Sequence, residues 1–210
     1  MIKILIADDH AVVREGLKQV LSENPDLIVA AEASTGQEVI DKIAKNDFDL
    51  VVLDISMPGR GGLDILKEIK IQKPRLPVLV LSMYPEEQYA VRVLKTGASG
   101  YLTKESAPDE LVKAIRQISQ GKKYVSPSLA EKLALDLEIS SDRPPHETLS
   151  DREYQVMCMI ASGKTLKEIS EELSLSIKTI STYRTRIMEK MKMKSNAELT
   201  HYAIKNRLVD

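Results

Sequence analysis

The first 120 residues alternate two hydrophobic periods, and few folds accept that pattern. Short apolar runs fall at Ile2–Ala7, Leu27–Ala31, Leu50–Leu53 and Val78–Leu81, with a shorter one within Gly97–Leu102. Each is followed by apolar residues at helical spacing. Val13, Leu17, Val20 and Leu21 follow the first run, and Val39, Ile40 and Ile43 the second. Leu63, Leu66 and Ile69 come next, then Val91 and Leu94, and finally Leu111, Val112, Ile115 and Ile118. The strand-like runs are continuous rather than alternating, as expected when both faces are buried. Five strand–helix units in series predict an α/β domain over 1–120: a doubly wound, five-stranded parallel sheet with helices on both faces. Thr35 and Glu38 have capping-box spacing, Pro85 and Pro108 stand near helix starts, and Met57-Pro58-Gly59-Arg60-Gly61-Gly62 reads as a loop.

The remainder has a different grammar. Ser126-Pro127 followed by Leu129, Leu133 and Leu137 predicts a connecting helix. Ile139–Glu147, polar with a double proline, predicts a flexible stretch, so 121–148 is expected to link two domains. Residues 149–210 carry no strand signal. Capping boxes at Ser150/Glu153, Thr165/Glu168 and Ser195/Glu198, an N-cap at Ser176 and a stop at Gly163 predict an all-α domain. Its four helices are expected near 151–162, 166–173, 177–192 and 196–206. Only Ser174-Leu175-Ser176 separates the second from the third, a helix-turn-helix spacing.

Charge divides the chain in the same way. The net charge of -1, from 30 basic and 31 acidic residues, conceals 15 basic and 18 acidic side chains in 1–120 against 11 and 8 in 149–210. Within Ile177–Lys194 six basic residues face one acidic, which points to a polyanionic partner for the back domain. No apolar stretch approaches the roughly 20 residues a bilayer span needs, so no membrane is expected. No secretory cleavage pattern follows the first run. The single Cys158 excludes an internal disulfide and fits a reducing cytoplasm. With only three scattered histidines, it offers no structural zinc set.

Polar groups fall where the strands end: Asp8 and Asp9 after the first, Asp54 after the third, Ser82 after the fourth and Lys104 after the fifth. In an open parallel sheet these ends share one edge, where ligands bind. Each residue alone is an ordinary turn, cap or surface residue; together they predict a site. Three carboxylates repel one another unless a cation sits among them, and an oxygen-rich set suits Mg²⁺. With the charge neutralised, Asp54 becomes a nucleophile toward a phosphoryl group. Lys104 balances the phosphoryl oxygens and Ser82 hydrogen-bonds one of them. Positioning and charge stabilisation then do most of what phosphoryl transfer requires.

Three segments carry a family resemblance: Ile4-Leu5-Ile6-Ala7-Asp8-Asp9-His10, Val51-Val52-Leu53-Asp54-Ile55-Ser56-Met57-Pro58 and Gly97-Ala98-Ser99-Gly100-Tyr101-Leu102-Thr103-Lys104. The front domain resembles the flavodoxin-like receiver of two-component response regulators, and the whole chain resembles the NarL/FixJ (LuxR-type) group. The resemblance implies that a sensor histidine kinase phosphorylates Asp54. It implies Mg²⁺ ligation by Asp9, Asp54 and the backbone carbonyl of Ser56, with Asp8 contributing mainly through water. It also implies a switch pair, Ser82 and Tyr101, in which the hydroxyl turns inward in one state and the ring follows. Glu105 stands where many receivers have proline, and Ser82 where many have threonine.

In the third back-domain helix, Ile177, Ile180, Tyr183, Ile187 and Met191 are expected to face the core. Lys178, Ser181, Thr182, Thr185 and Arg186 take the other side, with Arg184 toward the flank. Short hydroxyls among long cations fit a DNA major groove. The helix resembles the recognition helix of LuxR-type domains. By that resemblance Ser181, Thr182 and Thr185 lie near base edges, and Lys178, Thr179, Arg184, Arg186 and Lys190 near the backbone. Leu199, Ala203 and Ile204 of the last helix either form a dimer surface or close the core.

The expected protein is a phosphorylation-switched regulator that binds double-stranded DNA and forms a homodimer when phosphorylated. It is not an enzyme beyond Mg²⁺-dependent self-phosphorylation and self-dephosphorylation at Asp54. A dehalogenase-type phosphatase is the main rival, but Ser56 stands where that chemistry needs a second acid. A phosphorylation-independent DNA-binding protein with a degenerate front domain is the other, and the intact acidic cluster counts against it.

Overall fold

The computed structural model describes residues 1–57, 61–126, 129–130 and 144–209. The chain divides into two compact units, Met1–Glu131 and Lys132–Asp210. In the first, strands β1 (Ile2–Ala7), β2 (Leu27–Ala33), β3 (Leu50–Asp54), β4 (Val78–Ser82) and β5 (Gly100–Thr103) alternate with five helices. These are α1 (Ala11–Ser22), α2 (Gly36–Lys45), α3 (Gly62–Gln72), α4 (Glu86–Lys95) and α5 (Ala107–Ser119). Every pairing is parallel and the order is β2-β1-β3-β4-β5, the doubly wound sheet expected.

Every residue of β3 and β4 is buried, which is why their sequences show no alternation. On one face Ile4, Ile6, Leu50, Val52, Leu79 and Leu81 form a core with Leu17, Leu21, Leu111, Ile115 and Ile118. The alternate residues Leu5, Val51, Leu53 and Val80, all buried, line the other face. The strands run past their apolar segments because the polar end residues stay in the ladder, with Asp54 opposite Leu81 and Ser82 opposite Thr103. Beyond α5 the chain returns along the sheet edge, and the Tyr124 N–H donates to the Ser99 carbonyl (2.9 Å). Gly100 permits this approach, since a Cβ there would lie 3.0 Å from the Tyr124 Cβ.

Of the stretch expected to link the domains, Leu133, Leu137 and the residues through 143 lie outside the described residues. Ser126 Oγ accepts a hydrogen bond from the Leu129 N–H (3.1 Å), as an N-cap does. The far end departs from the expected flexible stretch: Pro145–Thr148 forms a 3₁₀ turn. Its polar composition hides a tertiary anchor, for His146 Nδ1 lies 2.8 Å from the Tyr202 hydroxyl, beside the Tyr154 ring.

Four helices follow: α6 (Asp151–Ala161), α7 (Leu166–Glu172), α8 (Ile177–Met191) and α9 (Asn196–Lys205). Complete capping boxes start α6 at Ser150 and α7 at Thr165. At Thr35 and Ser195 only half the box forms. The hydroxyl caps the helix, but Glu38 and Glu198 reach one residue further back, to the N–H groups of Ser34 and Lys194 (3.0 Å each). Gly163, at φ 87°, ends α6. Among the described residues no helix is long and apolar enough to cross a membrane.

Two glycines separate packing from propensity. A Cβ on Gly62 would lie 2.2 Å from the Ile55 Cα, whereas one on Gly16, inside α1, meets nothing within 4 Å. Gly62→Ala is expected to destabilise the chain by about 2 kcal/mol or more, and Gly16→Ala to stabilise it by about 0.5–1 kcal/mol. Urea denaturation of the full chain checks both signs.

Candidate functional site

The strand ends bring the dispersed polar groups together. Strand order reverses between β1 and β3, the switch point where an open α/β sheet forms its crevice. Lys104 directly follows β5 and its N–H donates to the Ser82 carbonyl (2.8 Å), which aims its side chain along the edge. Its ammonium lies 2.7 Å from Asp8 Oδ2 and 2.8 Å from Asp54 Oδ2. Asp8 and Asp54 are 1% and 0% exposed, so these are buried charges that need their counterion. Asp54 Oδ1 accepts the Ser56 N–H (2.8 Å), and Asp8 Oδ1 accepts the His10 N–H (2.8 Å). Arg14 anchors the turn by donating to the Asp8 carbonyl (2.7 Å).

Electrostatics follow from this packing. Burial pushes the Asp54 carboxyl up, and the Lys104 charge only partly offsets it. Burial also acts to lower Lys104, but Asp54 and Asp8 outweigh it and raise that group. One ammonium among three carboxylates leaves the pocket negative, a deficit suited to a divalent cation. Asp8, Asp9, His10 and Asp54 each offer a ligand atom, all within 4.8 Å of one another. Oδ2 of Asp8 is engaged by Lys104, whereas Oδ1 of Asp9 is buried without a well-directed hydrogen bond among the described residues, so an oxygen donor remains for such an ion. The donor set therefore fits Mg²⁺. Of Ser56, the observed contact is its N–H on Asp54.

His10 is the site residue that the sequence reading passed over. Its Nδ1 lies 3.2 Å from Asp8 Oδ1 and 3.1 Å from Asp9 Oδ1. The signal was its place immediately after two aspartates at a strand end.

Ser82 is fully buried, and its Oγ accepts the Tyr84 N–H (3.0 Å). Tyr101 is 2% exposed with its ring inward, and its hydroxyl donates to the Tyr84 carbonyl (2.7 Å). The two expected switch residues thus meet on the backbone of Tyr84. Burial pushes the Tyr101 phenol well above its ordinary range.

In the second unit, α8 buries Ile180, Ile187 and Met191, with Tyr183 half-buried. Ile177 departs from expectation at 51% exposure. It is the first residue of α8, and its side chain leans toward the helix start, past the core. Lys178, Ser181, Thr182, Thr185 and Arg186 are all exposed, as their pattern predicts. The Thr182 and Thr185 hydroxyls donate to the carbonyls of Lys178 (2.9 Å) and Ser181 (3.1 Å), leaving lone pairs to accept from a ligand. Thr179 Oγ1 lies 2.8 Å from Ser176 Oγ at the cap. Two of the expected backbone-contacting cations have protein partners. Arg184 Nε donates to Asn196 Oδ1 (2.8 Å), and Lys190 Nζ lies 2.6 Å from Oε2 of buried Glu153. Lys190 is therefore a bolt between α8 and the cap of α6. In α9, Leu199 and Ala203 close the core while Ile204 is 52% exposed.

Fold and pockets together define a two-part regulatory protein: an α/β domain with a cation-accepting acidic crevice, and a helix-turn-helix domain with a cationic outer face. The response regulator receiver domain family matches residues 4–116, and the luxR family of bacterial regulatory proteins matches residues 147–203. The chain is 38% identical over 209 residues to the response regulator UvrY of Escherichia coli, covering 99% of this chain and 96% of that protein. It is 37% identical over 211 residues to the response regulator GacA of Pseudomonas aeruginosa, covering 100% and 99%. Among solved structures it resembles RcsB of Salmonella enterica bound to promoter rprA in the presence of phosphomimetic BeF3-. That match has a TM-score of 0.66 and 29% identity, and covers 96% of this chain and 97% of that one. The chain belongs to the NarL/FixJ family of two-component response regulators, transcription regulators that join a receiver to a LuxR-type DNA-binding domain.

The Glu153–Lys190 pair yields a pH prediction. Burial acts to raise the Glu153 carboxyl, but Lys190 and the Ser150 cap outweigh it and hold the group below its ordinary 4.5. A lowered carboxyl stabilises the fold above its unfolded value and loses that contribution as pH falls through the folded one. Glu153→Gln is expected to cost about 1–2 kcal/mol at neutral pH. It should also flatten the acid loss of stability below about pH 4.5. Thermal melts across pH check both effects.

Proposed function

We propose that Asp54 accepts a phosphoryl group from a sensor histidine kinase and that this modification drives homodimerisation and DNA binding by α8. The observation that supports this most is the Lys104 ammonium held between Asp8 and Asp54, beside an otherwise negative, cation-ready crevice. An Asp54 oxygen attacks phosphorus as the bond to the donor's imidazole nitrogen breaks, and that imidazole leaves. Lys104 then trades a carboxylate for a phosphoryl oxygen. Ser82, at the end of β4, donates its hydroxyl to another oxygen and gives up its bond from Tyr84. Asp8, Asp9, Asp54 and the Ser56 carbonyl would hold a divalent cation, Mg²⁺ by their donor set, which would supply charge neutralisation at the transferred group.

Phosphorylation adds about -1.5 to -2 charge units and strong acceptors. That charge acts on the Ser82–Tyr84–Tyr101 connection, a two-state element. Self-phosphorylation from small donors and self-dephosphorylation follow from the same pocket and are its only catalysis. The receiver spans 1–120, a linking region 121–148 and the DNA-binding domain 149–210, and the protein works in the cytoplasm. On DNA, Ser181, Thr182 and Thr185 approach base edges while Lys178, Thr179 and Arg186 contact phosphates. Arg184 and Lys190 join them at the cost of the bonds to Asn196 and Glu153. Dimerisation places two recognition helices about one DNA turn apart.

Labelling with acetyl phosphate and Mg²⁺, followed by gel retardation and sizing, tests this reading. Wild type is expected to label, dimerise and bind duplex DNA more tightly once labelled, whereas Asp54→Asn gains none of the three. Equal DNA affinity with and without label would refute the switch. Lys178→Ala and Arg186→Ala are each expected to reduce the slope of log affinity against log salt by about 0.9.

A further inference from the structure

The opposite edge of the receiver sheet carries a second concave site of reversed charge. A cavity of about 400 Å³ opens beside the amino ends of β4 and β5, lined by Lys70, Arg75, Thr96, Ser99, Lys122 and Lys123 among others. Among the described residues that line it, four are cationic and none is acidic. Pro77 and Ser99, which immediately precede β4 and β5, belong to its wall, so it lies across the strands from Asp54 and Lys104.

Its lysines are placed by neutral groups. Lys70 Nζ donates to the Leu76 carbonyl (2.6 Å), and its stem crosses Gly97, where a Cβ would lie 3.3 Å from the Lys70 Cγ. Gly97 has a φ of 110°, so the loop geometry and the bare backbone both serve this packing. Lys123 Nζ donates to the Ala98 carbonyl. Among the described residues none of the four cations makes a salt bridge. Partial burial lowers Lys70, the positive charge of Lys123 lowers it further, and burial lowers Lys123. The helix dipole accounts for Lys70, in the last turn of α3. It does not account for Arg75, Lys122 and Lys123, which come from two loops outside any helix.

We propose that this cavity binds a small, multiply charged phosphate-bearing anion. The Lys70 and Lys123 ammonium groups are already oriented by carbonyls and, among the described residues, have no carboxylate partner, so an anion that displaces water meets little reorganisation cost there. Among the described residues the Ser99 hydroxyl has no hydrogen-bond partner, and it can donate to a phosphate oxygen. Among the described residues no aromatic side chain lines the cavity, so recognition rests on the phosphate rather than on a stacked base. A pyrophosphate group, compact and highly charged, matches a wall with four cations better than a single carboxylate does.

The test is calorimetric titration of the full chain with sodium pyrophosphate, at low ionic strength and without Mg²⁺, paired with amide chemical-shift mapping. Saturable binding below about 1 mM is expected, with shifts at 96–99 and 121–123. Arg75 and Lys122 are exposed, so Arg75→Ala/Lys122→Ala leaves the fold intact, and it should weaken binding about tenfold or more. Lys178→Ala/Arg186→Ala on α8 serves as control and should leave this binding unchanged. No saturable heat, an Arg75→Ala/Lys122→Ala affinity equal to wild type, or shifts confined to α8 would overturn the proposal.

Discussion

The receiver depends on an ammonium enclosed by carboxylates. Lys104 contacts Asp8 and Asp54 from a side chain only 10% exposed, and both partners are buried. Removing one member of such a group strands an uncompensated charge in a poorly hydrated space, which is costlier than the intact arrangement is stabilising. The cluster is therefore weak as a source of stability but strong as a constraint on geometry. It requires β1, β3 and β5 to end at one level, and the ladder supplies this: Ala7 pairs with Leu53, Asp54 with Leu81, and Ser82 with Thr103. A slip of one residue in any strand would turn its end group to the other face.

The back domain meets the same problem with a different answer. Glu153 is buried because it closes the cap of α6, and it draws Lys190 from α8 across to neutralise it. One carboxylate thus fixes a helix start and a helix–helix contact. Of the other cations of α8, Arg184 is held by Asn196, while Lys178 and Arg186 stay exposed on the outer face. A cation used in internal packing and cations left exposed sit on the same helix, separated by its period.

Much of this was legible in the chain because it is written in local chemistry. Continuous apolar runs announced buried parallel strands, and serine or threonine three residues before glutamate located four helix starts. The polar residues closing each run disclosed the acidic crevice, because parallel topology converts positions dispersed along the chain into neighbours. What escaped depended on tertiary partners. That Lys190 has a partner inside the domain is not written locally, because Glu153 stands 37 residues away. Ile177 reads as core because periodicity does not record that a first-turn side chain overhangs the packing. Pro145–Thr148 reads as flexible because nothing local announces that His146 meets Tyr202 across 56 residues. His10 was passed over because a lone histidine is a poor ligand signal until two carboxylates flank its ring.

The two edges of the receiver sheet differ for a reason built into parallel topology. Every helix begins near the carboxyl ends of the strands and finishes near their amino ends, so helix dipoles point their positive ends at the acidic crevice. That polarity favours anionic groups at this edge. At the other edge the dipoles end negative, and cations collect in last helical turns: Lys42 and Lys45, Lys70, Arg92 and Lys95, Arg116. Carboxylates then answer some of these, as Asp26 answers Arg116 at 2.8 Å. Beside β4 and β5, loop residues instead add more positive charge to what the dipole already attracts. That excess is the charge an incoming anion would meet at this corner.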